Sequence, residues 1–250
     1  MSYKYTLNPK YTSMLDSLKN IKDIFFNADI SIHKARNELK IIEIDGLKCV
    51  VKSFKVPHIL NRFIYTYIRD SKAKKSYTNA VKLQELSVNT PDPIGIIEFF
   101  DKGLISNSFF ISLYEPYDFT IREVFHHKVD NYKKILIDFI HFTYDIHTKN
   151  VLHVDYSPGN ILITLTDDSC KFSLVDINRM SFQNISSKEG LENFSKFWAT
   201  DEDLHTISNT YANLRNIDGE EAYKILRKYT KKTEDTKKLK LSLKKLISKG

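Results

Sequence analysis

The chain has 250 residues, of which 42% are hydrophobic and 28% charged, and its formal net charge is +7. That length can bury one sizeable core or two smaller ones, and that composition excludes a disordered chain. Its two cysteines, Cys49 and Cys170, exclude a disulfide framework or a cysteine metal site and make a reducing compartment the default.

No apolar stretch approaches the roughly eighteen residues of a membrane-spanning helix. The opening Met1-Ser2-Tyr3-Lys4-Tyr5 has no apolar h-region and no glycine at position 2. Neither a secretory signal nor myristoylation is expected, and a cytoplasmic location is. The charge is uneven: Glu221 to Lys249 carries eleven Lys or Arg and three acids. The rest is close to neutral, so the basic character says little about what the main body binds.

In chain order, Glu38 to Phe54 predicts a β-hairpin around Asp45-Gly46, a dipeptide that favours the tight turns of hairpins. Ser71 to Ser87 predicts a helix, with Ala73, Tyr77, Ala80 and Leu83 at helical spacing, closed by Pro91 and Pro93. Ile94 to Phe100 and Ser108 to Tyr114 predict two strands, with Gly103 and Asn107 in the turn between them. Tyr132 to Lys149 predicts a long buried helix presenting Ile135, Phe139, Phe142 and Ile146 on one face. Two short strands follow, Ile161 to Thr164 and Phe172 to Val175, and from Leu191 the pattern is helical. Strands with one helix, then helices with two short strands, predict an α+β fold with a β-rich N-terminal lobe over 1–115 and an α-helical lobe over 116–235.

The segment Val151-Leu-His-Val-Asp-Tyr-Ser-Pro-Gly-Asn-Ile-Leu-Ile163 places His153, Asp155 and Asn160 in the pattern H-x-D-x-x-x-x-N, the spacing of a kinase catalytic loop. One carboxylate accepts the proton of the attacking hydroxyl, and a neutral amide oxygen five residues later can coordinate Mg²⁺. Ser157-Pro-Gly-Asn160 taken alone is ordinary turn chemistry. Sixteen residues beyond Asn160, Asp176 ends an apolar strand, where an unpaired charge is costly. That is the place of a kinase's second metal-binding carboxylate. Asp176-Ile-Asn178 stands where Asp-Phe-Gly is commoner, which argues against a large activation-loop rearrangement. Upstream, Lys52 lies in Val50-Val-Lys-Ser-Phe54. A lysine on such a strand can orient the α- and β-phosphates of ATP, although an edge-strand lysine with a solvated tip looks the same in sequence.

Lys52, His153-Val-Asp155-Tyr-Ser-Pro-Gly-Asn160 and Val175-Asp-Ile-Asn-Arg179 together resemble the lipopolysaccharide kinase (Kdo/WaaP) family of the protein-kinase-like superfamily. Val88-Asn-Thr-Pro-Asp-Pro-Ile-Gly95, and Ile111 to Pro116 at the place of an interlobe hinge, extend the resemblance over roughly residues 25 to 215. It implies a bilobal fold and an ATP- and Mg²⁺-dependent kinase. The implied acceptor is a sugar hydroxyl of the lipid A–core region at the cytoplasmic face of the inner membrane. Asp155 with His153 would serve catalysis, Asn160 and Asp176 would hold Mg²⁺, Lys52 would hold ATP phosphates, and Leu162 would floor the adenine. Two departures stand out. The phosphate-covering loop has no G-x-G-x-x-G; in Ile30 to Asn37, backbone amides with Lys34 or Arg36 would cover the phosphates. At the helix position where kinases carry the lysine's glutamate partner stands Thr78, and Glu85 is the only acid on that helix.

Two rival readings remain. One is a pseudokinase or scaffold that keeps the fold without transfer. The other is a phosphotransferase with a small-molecule or protein acceptor, since the fold alone does not choose an acceptor. His126, His127, His141 and His147 do not have the converging pattern of a metal site. Trp198 is expected in the C-lobe core. Residues 236–250 are expected to form a basic amphipathic tail, with Leu239, Leu243, Leu246 and Ile247 on one face, that lies on an anionic membrane surface. Nucleic acid is not expected as a partner, and the sequence does not set an oligomeric state.

Overall fold

The computed structural model describes residues 2–28, 31–34, 37–54, 58–167 and 169–247, with side chains left out over 31–34 and 244–247. The chain divides into two compact units, Met1–Pro116 with Asp176–Arg179, and Tyr117–Val175 with Met180–Gly250.

Unit 1 is built on a six-stranded antiparallel sheet. Its strands are β1 (Ser2–Leu7), β2 (Ser31–Lys34), β3 (Asn37–Ile44), β4 (Leu47–Phe54), β5 (Pro93–Asp101) and β6 (Leu104–Leu113), in the spatial order β1-β5-β6-β4-β3-β2. The β3–β4 hairpin turns at Asp45 and Gly46, both at positive φ, as the Asp-Gly pair predicts. The β5–β6 hairpin is tighter than the sequence suggests. Lys102 and Gly103 both take positive φ and close a two-residue turn, so Asp101 pairs with Leu104 and the strand starts before Ser108.

Alternation along β4 sorts its side chains. Cys49 and Val51 enter a core with Met14, Leu18, Ile21 and Phe25 from α1 (Leu15–Lys19), α2 (Ile21–Asn27) and the 3₁₀ turn before them. Phe54, on the other face, packs with Ile96 and with Ala73 of α4 (Lys72–Glu85). Lys52 shares the Phe54 face, because side chains two residues apart on a strand point the same way. Ser71 caps α4 by accepting from the Lys74 amide at 3.0 Å. Between β4 and α4, α3 (Ile59–Tyr67) buries none of its residues; Leu60 is 78% exposed and Tyr67 64%.

Unit 2 is mainly helical: α5 (Ile121–Phe125), α6 (Tyr132–Thr148), α7 (Ser187–Asn193), α8 (Asp201–Arg215) and α9 (Gly219–Ile247). Two small sheets complete it. One orders β10 (Cys170–Leu174), β9 (Ile161–Leu165) and β7 (Phe119–Thr120); the other pairs β11 (Met180–Phe182) with β8 (Val151–His153). The core is aromatic: Phe139 of α6 meets Phe125, Tyr156, Phe172, Phe194 and Phe197 at centroid distances of 5.2–6.2 Å. The helix expected from Tyr132 to Lys149 is therefore the central pillar of this unit.

Two expectations change. Residues 236–247 are not a separate segment but the continuation of α9, whose buried positions Ala222, Leu226 and Thr230 lie in its first half. Trp198 is not core. It is 44% exposed and takes φ +54, which turns it out of the Phe194–Phe197 run.

Candidate active site

In unit 1, β4 is flanked on both sides: Lys52 lies opposite Leu39 of β3 and Phe110 of β6. An edge-strand lysine with a solvated tip is thereby excluded. Lys52 is 8% exposed, and its Nζ meets the Asp176 carboxylate at 2.5 Å, 124 residues away in sequence. The sequence leaves this lysine's acidic partner open, and the structure supplies Asp176. Thr78 and Glu85 are exposed, and neither makes an ion pair with Lys52 among the described residues.

Asp176 takes φ +56, a left-handed conformation that aspartate tolerates better than most residues. Such strain persists only where the surroundings hold it. Next to it, Ile177 is 3% exposed and its carbonyl accepts from Asn79 Nδ2 of α4 at 2.7 Å. Sequence reasoning missed Asn79, whose task shows only once α4 lies against the Asp176–Arg179 segment. The side chain of Asp176 itself is 42% exposed, so its carboxylate can reach a ligand in solution.

In unit 2, the loop from His153 to Asn160 follows β8 and leads through a 3₁₀ turn (Pro158–Asn160) into β9. Three successive carbonyls are each held by a side chain. Asn193 Nδ2 donates to His153 O at 3.1 Å, Lys196 Nζ to Val154 O at 2.7 Å, and Asn160 Nδ2 to Asp155 O at 2.9 Å. That last bond commits the amino end of the Asn160 amide and leaves its oxygen as the acceptor. Tyr156, fully buried, shares a 2.8 Å hydrogen bond with Thr143 of α6 and anchors the loop in the aromatic core. A Cβ at Gly159 would stand 2.7 Å from Arg122 Nη2, so only glycine lets the turn pass there without displacing that side chain.

His153 is fully buried and donates from Nε2 to Val175 O at 3.0 Å, while the Val175 amide donates to Asn160 O at 3.0 Å. The peptide before Asp176 is thus gripped from two sides. The sequence puts His153 among the catalytic residues. In the structure it is buried, and its bond to the Val175 carbonyl holds the end of the strand that leads to Asp176. Asp155 itself is half-buried.

Behind the loop runs a buried relay. Arg215 donates to the Tyr211 oxygen at 3.1 Å, Tyr211 OH meets His147 Nδ1 at 2.8 Å, and His147 Nε2 donates to Asn193 Oδ1 at 3.3 Å. Burial, with a smaller contribution from the Arg215 charge, pushes the His147 pKa down to about 4. A neutral imidazole that accepts at Nδ1 and donates at Nε2 fits every bond in the relay. His147 is therefore structural, and His127 is too, bonded to Asp203 at 3.0 Å and stacked on Tyr132.

The remaining expected residues have simpler places. Leu162 is 9% exposed in the middle strand β9, paired with Ser173 and Thr120. Lys34 ends β2, with its side chain outside the description, and Arg36 lies outside the described residues. Among the described residues no group of three or more His, Cys, Asp or Glu forms a metal cluster. The pair expected to bind Mg²⁺ is of another kind, a carboxylate and an amide oxygen.

No protein-family model matches the sequence, and no curated protein matches it either. Among 1013 solved chains that match is one described as WaaP in complex with acyl carrier protein. It aligns over 93% of this chain and 98% of its own, at 16% identity and a TM-score of 0.61. The name is that of the family the motifs resemble, and the likeness covers both units. At that identity it shows the fold: the chain has an α+β, protein-kinase-like fold, with an antiparallel sheet in one unit and a helical second unit.

Proposed function

We propose that the chain is an ATP- and Mg²⁺-dependent kinase that phosphorylates a sugar hydroxyl of the lipid A–core region. It would work at the cytoplasmic face of a membrane. The observation that carries this reading is the pairing of Lys52 with Asp176. The sequence nominates these residues separately, one for phosphates and one for metal. The WaaP-like fold and the H-x-D-x-x-x-x-N loop add support.

The donor set suits the metal. Mg²⁺ prefers hard oxygen ligands and takes one or two carboxylates alongside phosphate oxygens. Asp176 offers an accessible carboxylate, and in unit 2 the hydrogen bond from Asn160 Nδ2 leaves that amide's oxygen as an acceptor of the same hard kind. When bound, the ion supplies charge neutralisation on the transferring phosphate. The protein does the rest. The Lys52 ammonium orients the nucleotide phosphates, and its bond to Asp176 holds that carboxylate in place. Asp155 accepts the proton of the acceptor hydroxyl. The three held carbonyls fix the loop before the acceptor arrives, so little reorganisation is left for the reaction itself.

The test is ATP consumption with lipid A–core acceptors, alongside a thermal-shift titration of wild type and Asp176→Asn with ATP and Mg²⁺. Transfer by wild type is expected, with Mg²⁺-dependent stabilisation lost in the variant. Equal stabilisation of both would remove Asp176 from the metal site. The Asp-Ile-Asn sequence and the lysine's unusual partner favour a second reading, a nucleotide-binding pseudokinase. That reading predicts ATP stabilisation with no transfer to any acceptor.

A further inference from the structure

Unit 2 holds a cavity of 740 Å³ beside the catalytic loop, within the size range of small-molecule sites. One wall is the loop itself, through Leu152, Val154 and Ser157, which bracket Asp155 in sequence. The opposite wall is α9. Tyr229, Lys232, Thr233, Thr236, Lys237 and Lys240 line it, and their spacing of three and four residues is one helix face. The floor includes Lys196 and the chain's single tryptophan, Trp198.

The chemistry of this lining is specific. Lys237 Nζ lies 4.1 Å from the Trp198 ring centre, so aromatic face and positive charge meet in the cavity. Lys232, Lys237 and Lys240 make no ion pair among the described residues. Of the two acids in the wall, Glu189 is already spent: its carboxylate accepts from both the Ser186 amide and hydroxyl, which hold its pKa low. Ser157, Ser195, Thr233 and Thr236 also line it; the Thr233 and Thr236 hydroxyls donate to the Tyr229 and Lys232 carbonyls, which leaves their oxygens as acceptors. An aromatic face, several hydroxyls and unpaired ammonium groups together suit a polyhydroxylated ring that carries an anion. The ring's C–H face packs on Trp198 and the lysine stems, its hydroxyls meet Ser and Thr, and the anion meets the ammonium groups.

The side chains of α9 sort by face. Leu239 and Leu243 are 62% and 50% exposed, whereas Lys237 and Lys240 line the cavity.

We propose that this cavity seats a phosphate-bearing sugar, with the ring against Trp198 and the phosphate on Lys232 and Lys240. Its tie to catalysis rests on the kinase reading. The bound sugar is then the acceptor, held by a phosphate it already carries while another hydroxyl reaches Asp155. Lys196 links the two, since its ammonium holds the Val154 carbonyl from inside the same cavity.

Because Trp198 is the only tryptophan, its emission reads this cavity directly. The experiment titrates the full chain, without ATP, with glucose 6-phosphate, glucose, inorganic phosphate and AMP, at constant ionic strength. A saturable change with glucose 6-phosphate is expected, and none with glucose. In Lys232→Gln/Lys240→Gln the affinity should fall about tenfold for each ammonium removed, as for a lost charge-assisted hydrogen bond. Both lysines are exposed, so an unchanged melting temperature shows that the variant is folded. No saturable response to glucose 6-phosphate, an equal response in the variant, or tighter binding of inorganic phosphate or AMP would each overturn the proposal. This readout needs neither nucleotide nor transfer. A chain that binds the sugar phosphate but fails the ATP assay keeps the site and loses the kinase reading, and the converse loses only the site.

Discussion

In unit 1 Lys52 sits in the middle of a sheet and, among the described residues, meets one carboxylate, Asp176, which is 42% exposed and stands on left-handed backbone. In unit 2 the loop from His153 to Asn160 is held many times over. Three successive carbonyls have side-chain donors, Tyr156 is locked to Thr143, and His147 and Tyr211 stand behind Asn193. The difference matches the tasks proposed for them. A group that meets a mobile nucleotide and metal needs room to exchange partners. A base that must meet one hydroxyl needs a fixed position. Substitutions in unit 1 should therefore change ligand binding at little cost in stability, and those behind the unit 2 loop should change stability and rate together.

The sharpest contrast is Asp155→Ala. It removes the proposed base and keeps the Asn160 bond, which goes to the Asp155 backbone carbonyl. Transfer is expected to fall by about 10²–10⁴-fold, the range for a positioned acid or base. Nucleotide binding, measured by thermal shift with ATP and Mg²⁺, should persist. Near-normal turnover would reduce Asp155 to a turn residue, whereas nucleotide binding without transfer by wild type would favour the pseudokinase.

The relay behind the loop makes a pH prediction. His147 has a folded pKa of about 4, below the value near 6.5 of an unfolded histidine. Between those values the unfolded chain binds the proton and the folded chain does not. The stability contribution is therefore complete above pH 6.5 and is lost as pH falls toward 4, by about 3 kcal/mol over the whole window. Urea unfolding at pH 7 and at pH 5 should show wild type losing stability while His147→Gln changes much less. Parallel losses in both proteins would mean that another group carries the effect. Asn193→Ala probes the next link: it strands the His153 carbonyl and His147 Nε2, both buried, and should cost about 2 kcal/mol with a fall in kcat. A normal kcat in a destabilised Asn193→Ala would separate loop support from catalysis.

These contrasts also mark how far the sequence could be read. The long buried helix, the Asp-Gly hairpin and the strands around Asn160 and Asp176 were legible because apolar periodicity and turn residues are local signals. Met14, Leu18, Ile21 and Phe25 follow a helical spacing that places them under the sheet. The spacing is a weak signal because it is broken across two very short helices and a 3₁₀ turn. The candidate residues at 52, 155, 160 and 176 were found by type and spacing, but their partners were not. Asp176 is remote from Lys52, and Asn193 and Lys196 lie well beyond the loop whose carbonyls they hold. Sequence patterns report what a residue is suited to do, and only folding reports what holds it there. Trp198 fails for a related reason. Phe194 and Phe197 are buried, and a single left-handed φ sends their neighbour outward; no local pattern announces that turn.

The smallest effect concerns the far end of α9, which we propose touches an anionic membrane surface. Beyond Thr230 none of the helix residues with described side chains is buried, and Leu239, Leu241 and Leu243 are 62%, 50% and 50% exposed. Apolar side chains exposed on a lysine-rich helix are the pattern of an interfacial helix, and each lysine near an anionic leaflet contributes roughly 1 kcal/mol. Truncating the helix would also remove Lys237 and Lys240 from the cavity, so substitution tests the idea more cleanly. Leu239→Gln/Leu243→Gln removes apolar surface that packs on nothing buried, and should leave stability within about 0.5 kcal/mol of wild type. Co-sedimentation with vesicles rich in phosphatidylserine, at low salt, should fall about tenfold in the variant, with glucose 6-phosphate binding unchanged. Equal sedimentation of both proteins, or none by wild type, would leave these leucines without a membrane role. A simultaneous loss of sugar-phosphate binding would show that the two ends of α9 do not act independently.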